Sequence, residues 1–317
     1  IFFMKFIRNT AKKILQLFAA PKSYIGNSKL NKLGLQENRI NRFLMRQKKN
    51  ESYSNPKFSK DEKILDRDGL LIISNFFSDK IFVKIKEEIK AFKASEGLLD
   101  FPNKQGFGVD WKAGNPSAIM CPTIHKYFRS NNRIHELVRH TTNRKVKFLP
   151  YVSYEHLTLP LNQNDNKDPN RVLHADRYYP TIKAVLYLDD VTEANGPFYY
   201  SRGSHHLDKQ RIEFETKSSY FQALLKEGKT SQVPENWIKN NRIHPPADLY
   251  SNYKSTPIIG KANTLAVINT CGFHNRGEMQ PQNSREAIRL VFHYVYSPSF
   301  IQSLFNLFKL SPGRWLN

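Results

Sequence analysis

The sequence predicts an α+β fold, mainly β: helices first, then a β-rich half that closes into a sandwich or barrel with the helices packed outside it. Three observations predict it. Apolar residues recur at helical spacing up to about residue 142. From about residue 145 they come in short runs of β-formers, and turns such as Asn195-Gly196-Pro197 and Ser201-Arg202-Gly203-Ser204 separate those runs. The composition is globular, with 39% hydrophobic and 13% aromatic residues in 317. That is enough for one domain of about 230–250 residues with extensions.

Residues 1–60 read as a basic N-terminal extension. Phe3, Ile7, Ala11, Ile14 and Phe18 fall at helical spacing with Lys5, Arg8, Lys12 and Lys13 between them, a basic amphipathic helix over 3–18 that Pro21 ends. Its apolar stripe has two fates: packing on the folded domain, which is commoner, or peripheral contact with an anionic membrane. Residues 22–60 are polar and basic, a wrapping or linking segment.

The folded domain is expected over 61–299. Asp66-Arg67-Asp68-Gly69 is a turn and Leu70–Ile73 a short strand; Ser78 caps a helix over 79–93 with Ile81, Ile85, Ile89 and Phe92 on one stripe. Residues 100–122 read as a long loop and 131–142 as a second helix. Strands are expected at Val146–Thr158, Ala184–Leu188, Phe198–Ser201, Ile258–Ile259, Leu265–Asn269 and Ala287–Tyr296. A polar insertion at 207–250, partly helical around Tyr220–Lys226, interrupts them. Residues 300–317 form an apolar tail with Phe300, Ile301, Leu304, Phe305 and Phe308, which packs on the N-terminal helix or touches the same surface.

The formal net charge is +21, and residues 1–62 supply fourteen Lys or Arg against four Asp or Glu. Such a charge suits an anionic partner, or reflects a Lys-, Asn- and Ile-rich composition. No nucleic-acid motif is present, so no nucleic-acid partner is expected. No run of eighteen apolar residues occurs, which excludes a transmembrane helix from the expectation. The N-terminal apolar runs are broken by Lys12, Lys13 and Lys22 and do not read as a signal peptide; Ile1-Phe2-Phe3 ahead of Met4-Lys5 reads as an upstream remnant. Two cysteines, Cys121 and Cys271, exclude a disulfide framework. The expected location is cytoplasmic, membrane-peripheral if residues 3–18 lie on a bilayer.

His174-Ala175-Asp176, His274 and Arg285 carry the chemistry. In an extended segment residues i and i+2 share a side, so His174 and Asp176 can bind one ion. Two imidazoles and a carboxylate form the ligand set of a mononuclear non-haem iron(II) centre, with one face left open. A zinc hydrolase could use the same three residues. Arg285, eleven residues after His274, is a guanidinium fork suited to a dicarboxylate. Alone, His-x-Asp is a common tripeptide.

The surroundings of this tripeptide are distinctive. Thirteen residues after His174 begins Tyr187-Leu188-Asp189-Asp190-Val191-Thr192-Glu193-Ala194-Asn195-Gly196-Pro197, followed by Phe198-Tyr199-Tyr200-Ser201-Arg202-Gly203-Ser204-His205. Here the sequence resembles the phytanoyl-CoA dioxygenase family of iron(II)/2-oxoglutarate-dependent oxygenases. It departs from the family pattern at Arg202, usually Pro, a structural position. Leu265–Asn269 with Gly272-Phe273-His274, and then Asn283-Ser284-Arg285-Glu286-Ala287-Ile288, look like the segments bearing the second histidine and the 2-oxoglutarate arginine. The likeness covers about 61–297 and is absent from 1–60.

The resemblance implies a double-stranded β-helix, the cupin-like jelly roll, flanked by N-terminal helices. It implies Fe(II) held by His174, Asp176 and His274, 2-oxoglutarate as co-substrate with Arg285 on its distal carboxylate, and O2. Tyr154 and Tyr187 are the candidates for a second hydroxyl on that carboxylate. The implied reaction hydroxylates a C–H bond of a small-molecule or carrier-linked substrate and releases succinate and carbon dioxide. Related halogenases replace the carboxylate ligand with a small residue; Asp176 favours hydroxylation. The rival reading is a catalytically silent jelly-roll binding protein. Cys271, Trp111, Tyr178 and Tyr179 are read as packing residues, His205 and His206 as turn-stabilising, and Arg289 as the alternative anion ligand to Arg285.

Overall fold

The computed structural model describes residues 27–49, 55–95, 99–101, 109–143, 149–240, 242–246 and 253–292. The helix expected over 3–18, the tail at 300–317 and residues 293–296 of the last expected strand lie outside them.

Helices α1 (Ser28–Lys32) and α2 (Leu35–Lys49) open the described chain. They are docked. Ser28 donates through N and Oγ to the Glu227 carboxylate at 2.8 and 2.7 Å, and Ile40 and Phe43 pack on Tyr178 and Tyr179. Residues 28–49 therefore wrap the domain. Helix α3 (Ser59–Asp68) follows, so Asp66 to Asp68 form its last turn, and Gly69 ends it in the left-handed region at φ 71°. A Cβ at Gly69 would lie 2.2 Å from Tyr200 Oη, which reserves the position for glycine.

Strand β1 (Leu70–Ile73) leads to helix α4 (Asp79–Ala94), as its apolar stripe predicts. Ser78 occupies the N-cap with extended backbone, but its side chain makes no capping hydrogen bond. The expected loop 100–122 instead holds β2 (Leu99–Phe101) and β3 (Asp110–Gly114). Asp110-Trp111-Lys112-Ala113-Gly114 has weak strand propensity, and its pairing with the longer β4 (Tyr151–Thr158) supplies what propensity lacks. Helix α5 (Asn132–Thr142) lies between them, capped by the Asn131 side chain on the Ile134 amide.

The remaining strands are β5 (Ile182–Tyr187), β6 (Phe198–Ser201), β9 (Ser255–Ile258), β10 (Leu265–Asn269), β11 (His274–Arg276) and β12 (Ser284–Val291). Between β6 and β9 the insertion forms helix α6 (Lys209–Lys226) and a short hairpin, β7 (Ile238–Lys239) and β8 (Arg242–Ile243). Among the described residues one sheet has the order β1-β10-β5-β12-β4-β3-β2 and a second β11-β6-β9, and every pairing is antiparallel.

Alternation along the strands divides the large sheet into two faces. Tyr154, Leu186, Val267, Ile288 and Leu290 point outward into a core shared with Ile85, Ile89 and Phe92 of α4 and Leu137 and Val138 of α5. Leu70, Tyr187, Ala266, Ile268 and Ala287 point inward and meet Tyr200, Phe198 and Ile258 of the small sheet. Two antiparallel sheets face to face, helices outside the larger, make the sandwich that the strand pattern predicts and the jelly roll that the family resemblance implies.

Candidate metal centre and co-substrate site

The centre forms where two distant segments pair. His174 and His274 are directly opposed in an antiparallel bridge, each amide donating to the other's carbonyl, at 3.0 and 2.8 Å. Opposed residues project to the same side, so the two rings meet with centroids 4.4 Å apart. Asp176 is tied to the same segment through its amide, which donates to the Thr270 carbonyl at 3.0 Å. Leu173 and Ala175 alternate to the other side and pack against the cluster containing Phe214, Trp237 and Phe273. The insertion thereby backs the ligand strand.

The candidate ligand atoms of His174, Asp176 and His274 lie within 4.8 Å of one another. Asp176 Oδ1 is 4.0 Å from His174 Nε2 and 3.7 Å from His274 Nε2. The Nδ1 atoms face the carbonyls of Val172 and Gly272, at 2.7 and 2.8 Å. A carbonyl only accepts, so each Nδ1 carries a proton and each Nε2 is the ring atom turned toward the centre. Burial, with the neighbouring charges of His274 and Arg242, pushes the His174 imidazole well below its ordinary value, which keeps it a neutral ligand. Burial alone would raise the Asp176 carboxyl; Lys183, followed by His274, outweighs it and holds the group well below the usual carboxylate range.

Lys183 Nζ donates to Asp176 Oδ2 at 2.6 Å, leaving Oδ1 for the centre. Phe198 stacks on His274, centroids 4.9 Å apart at 17°. Gly272 allows the tight approach: a Cβ there would lie 2.1 Å from Tyr200 Oη. Asp176 keeps 28% of its side chain exposed against 3% for His274, so the centre opens on the Asp176 side. Two imidazoles and one carboxylate with an open side fit mononuclear non-haem iron(II). Cys271 is buried, its thiol pushed up to about 11 by burial, and is outside the ligand group.

Arg285 lies on the inner face of β12, and Tyr187 stands on the same face of the neighbouring strand, opposite Ala287. Arg285 Nη1 donates to the Gly196 carbonyl in the Asn195-Gly196-Pro197 turn. Three arginines gather here, and two are neutralised. Arg276 is held by Asp165 at 2.7 Å and Asp168 at 2.6 Å, and Arg289 pairs with Glu155. Arg285 forms no ion pair among the described residues. Burial and the cations of Arg276 and Arg289 lower its pKa, while Tyr187 and Glu155 oppose the shift. A half-buried guanidinium with no ion pair among the described residues is a strong anion site.

Tyr154 is a correction. It opposes Ile288, on the parity opposite to Arg285, so it belongs to the outer core, with its ring edge-on to Phe92 at 6.1 Å. It does not share the face of Arg285. Tyr187 does share it, and its hydroxyl donates to the Ile258 carbonyl at 2.7 Å. Tyr178 and Tyr179 pack under α2, and Trp111 packs with Val109, Leu157, Leu159 and Met279. His205 Nε2 donates to the Asp66 carbonyl at 2.9 Å and Arg202 pairs with Asp68 at 3.0 Å, so this turn docks on the end of α3.

Sequence reasoning missed Lys183, Arg211, Arg242, Arg276, Asp165 and Asp168. A signal existed for Arg276: two residues past His274 on a strand, it shares the ligand's side. Lys183 and the two aspartates sit in ordinary polar and strand contexts and reach the site only through tertiary pairing.

No relative is detected among curated proteins. Similar solved structures include the non-heme alpha ketoglutarate dependent epimerase SnoN from nogalamycin biosynthesis, at TM-score 0.50 and 13% identity over 74% of this chain and 82% of that one. They also include EctD from S. alaskensis with 2-oxoglutarate and 5-hydroxyectoine, at 0.47 and 12% over 76% and 78%. HygX from Streptomyces hygroscopicus with nickel and 2-oxoglutarate bound aligns at 0.45 and 15% over 73% and 85%. At these identities the SnoN likeness shows the fold. The family model described as Phytanoyl-CoA dioxygenase (PhyH) matches residues 65–259, more than half of the chain. The chain belongs to the phytanoyl-CoA dioxygenase family, and is an enzyme of the class that uses Fe(II), 2-oxoglutarate and O2.

Proposed function

We infer that the chain is a dioxygenase that hydroxylates a C–H bond of a small-molecule or carrier-linked substrate, releasing succinate and carbon dioxide. His174, Asp176 and His274 hold the iron, and Arg285 anchors the distal carboxylate of 2-oxoglutarate beside Tyr187. One observation carries the reading: the convergent triad lies in the same jelly-roll interior as Arg285, the guanidinium that forms no ion pair there.

Bound at the triad, iron(II) with 2-oxoglutarate and O2 supplies the oxidising power for attack on a C–H bond. The chain supplies geometry and charge. The carbonyls of Val172 and Gly272 fix both imidazoles with Nε2 inward. Lys183 takes one carboxylate oxygen of Asp176 and so favours single-oxygen ligation by the other. Arg285 offers a forked pair of donors in a half-buried setting, where a charge-assisted bond is stronger than in open water. Asp176 fills the position that a halide would need, which favours hydroxylation over halogen transfer.

Anaerobic addition of Fe(II) and 2-oxoglutarate tests the reading. A weak visible charge-transfer band is expected, followed by succinate formation once O2 is admitted. A protein that gives neither is a silent jelly roll, and the oxygenase reading fails.

A further inference from the structure

The insertion sets another arginine beside the centre. In the β7–β8 hairpin Ile238 opposes Ile243 and Lys239 opposes Arg242. Ile243 packs into the apolar cluster behind Leu173 and Ala175, so its strand neighbour Arg242 points the other way. Asn240, in the hairpin turn, donates to the Asn166 carbonyl at 2.8 Å, and Arg242 Nη1 donates to the Pro169 carbonyl at 3.1 Å. The hairpin therefore sits on the segment that runs into His174. The Arg242 charge is felt at Asp176 and at His174, and burial lowers its own pKa.

The carboxylates around Arg242 are committed elsewhere. Asp168 holds Arg276, Asp165 holds Arg276 and Arg171, and Asp176 holds Lys183. Arg242 forms no ion pair among the described residues. In a loaded centre, the charges of the metal and of Arg285 are balanced by Asp176 and by the two carboxylates of the co-substrate. Lys183 shares Asp176 with the metal, and Arg242 is left over as a cation with no ion pair among the described residues. Shielded cations of this kind are costly unless an anion joins them.

We propose that Arg242 binds an anionic group of the substrate, a carboxylate or a phosphate ester, and so orients the C–H bond presented to the iron. This rests on the oxygenase reading above. A guanidinium fork matches either anion with two parallel hydrogen bonds. The insertion that backs His174 and Asp176 is then also the element that selects the substrate.

The test uses the full chain, loaded anaerobically with Fe(II) and saturating 2-oxoglutarate. It is titrated with methyl phosphate, with acetate and, as the neutral control, with methanol. Binding is read from shifts of the charge-transfer band and independently by calorimetry. One anion is expected to bind while methanol does not, and R242Q weakens that anion at least tenfold. R242K, which keeps the charge and loses the fork, falls between, and 2-oxoglutarate affinity is the same in all three proteins. Preference for methyl phosphate identifies a phosphate-bearing substrate, and preference for acetate a carboxylate. Absence of anion binding by the native protein, or equal binding by R242Q, overturns the proposal. Absence of the band in the native protein overturns the oxygenase reading instead, and calorimetry with the two anions still decides whether Arg242 is an anion site.

Discussion

Two carbonyls and one ammonium group decide which way the ligand atoms of the centre face, and none of the three is a ligand. His174 and His274 each spend Nδ1 on a backbone oxygen, and Asp176 spends Oδ2 on Lys183. Arg285 has no carboxylate partner among the described residues, so removing it should harm co-substrate binding and spare the metal. R285Q is expected to raise the dissociation constant for 2-oxoglutarate about 10- to 100-fold, the value of a charge-assisted bond of about 1.5–3 kcal/mol, with Fe(II) affinity unchanged. Titration of the charge-transfer band measures it. The same titration separates the tyrosines: Y154F should bind 2-oxoglutarate like the native chain, and Y187F more weakly. Tyr154 and Tyr187 read alike in the sequence, because which sheet face a residue takes depends on the pairing register. The triad and Arg285 were legible because their side chains are few, chemically distinctive and fixed in spacing.

His205 gives a pH dependence at the same scale. Its Nε2 donates to the Asp66 carbonyl, and its Nδ1 is buried without a partner. A second proton would enter beside His206 with no acceptor. Burial, with His206 and Arg211 adding and the Asp66 carbonyl opposing, lowers the imidazole to about 4 from the ordinary 6.5. Between those values the unfolded chain binds the proton and the folded chain does not. The contribution of this residue is therefore full above pH 6.5 and is lost as pH falls toward 4. The loss is about 3 kcal/mol at most. Urea unfolding of H205Q over that pH range should show a flatter slope than the native chain, and an unchanged slope would assign the acid sensitivity elsewhere.

At the scale of elements, α6 holds the strand that presents His274. Arg211 is fully buried, pairs with Glu215 at 2.7 Å, donates to the Cys271 carbonyl at 2.6 Å and to the Ser204 carbonyl, and lies over the Phe273 ring at 4.5 Å. Only Tyr220–Lys226 of this helix was legible, and its composition explains why. Arg211, Glu215, Ser218 and Ser219 are buried along with Phe214 and Leu224, so no polar face opposes an apolar one. The β2–β3 pair was missed for a related reason, since pairing with β4 rather than propensity makes it a strand. R211M should cost about 3–5 kcal/mol, because Glu215 is left buried and unpaired. Replacing both partners, R211M with E215L, should recover most of that loss. Denaturant midpoints for the two variants decide it: equal losses would mean that the carbonyl contacts, not the ion pair, hold the element.

At the scale of the whole molecule, the metal would be a cross-link. His174 and Asp176 precede β5 of the large sheet, whereas His274 opens β11 of the small sheet, 98 residues beyond Asp176. The unfolded chain scatters these three ligands, so an ion that needs all of them binds the folded state alone. Its binding energy then adds to folding stability as the logarithm of its concentration over the dissociation constant. At a hundredfold excess over that constant the gain is about 2.7 kcal/mol. Fe(II) under anaerobic conditions, or Co(II) as an air-stable substitute, should therefore raise the unfolding temperature in a concentration-dependent way, and a chelator should reverse the rise. H174A and H274A should unfold at the same temperature with and without metal. K183M tests the finer point, since it leaves all three ligands in place but frees Asp176 Oδ2. A smaller metal-induced rise in K183M than in the native chain is expected, and an equal rise would show that the carboxylate needs no help from the lysine to face the centre.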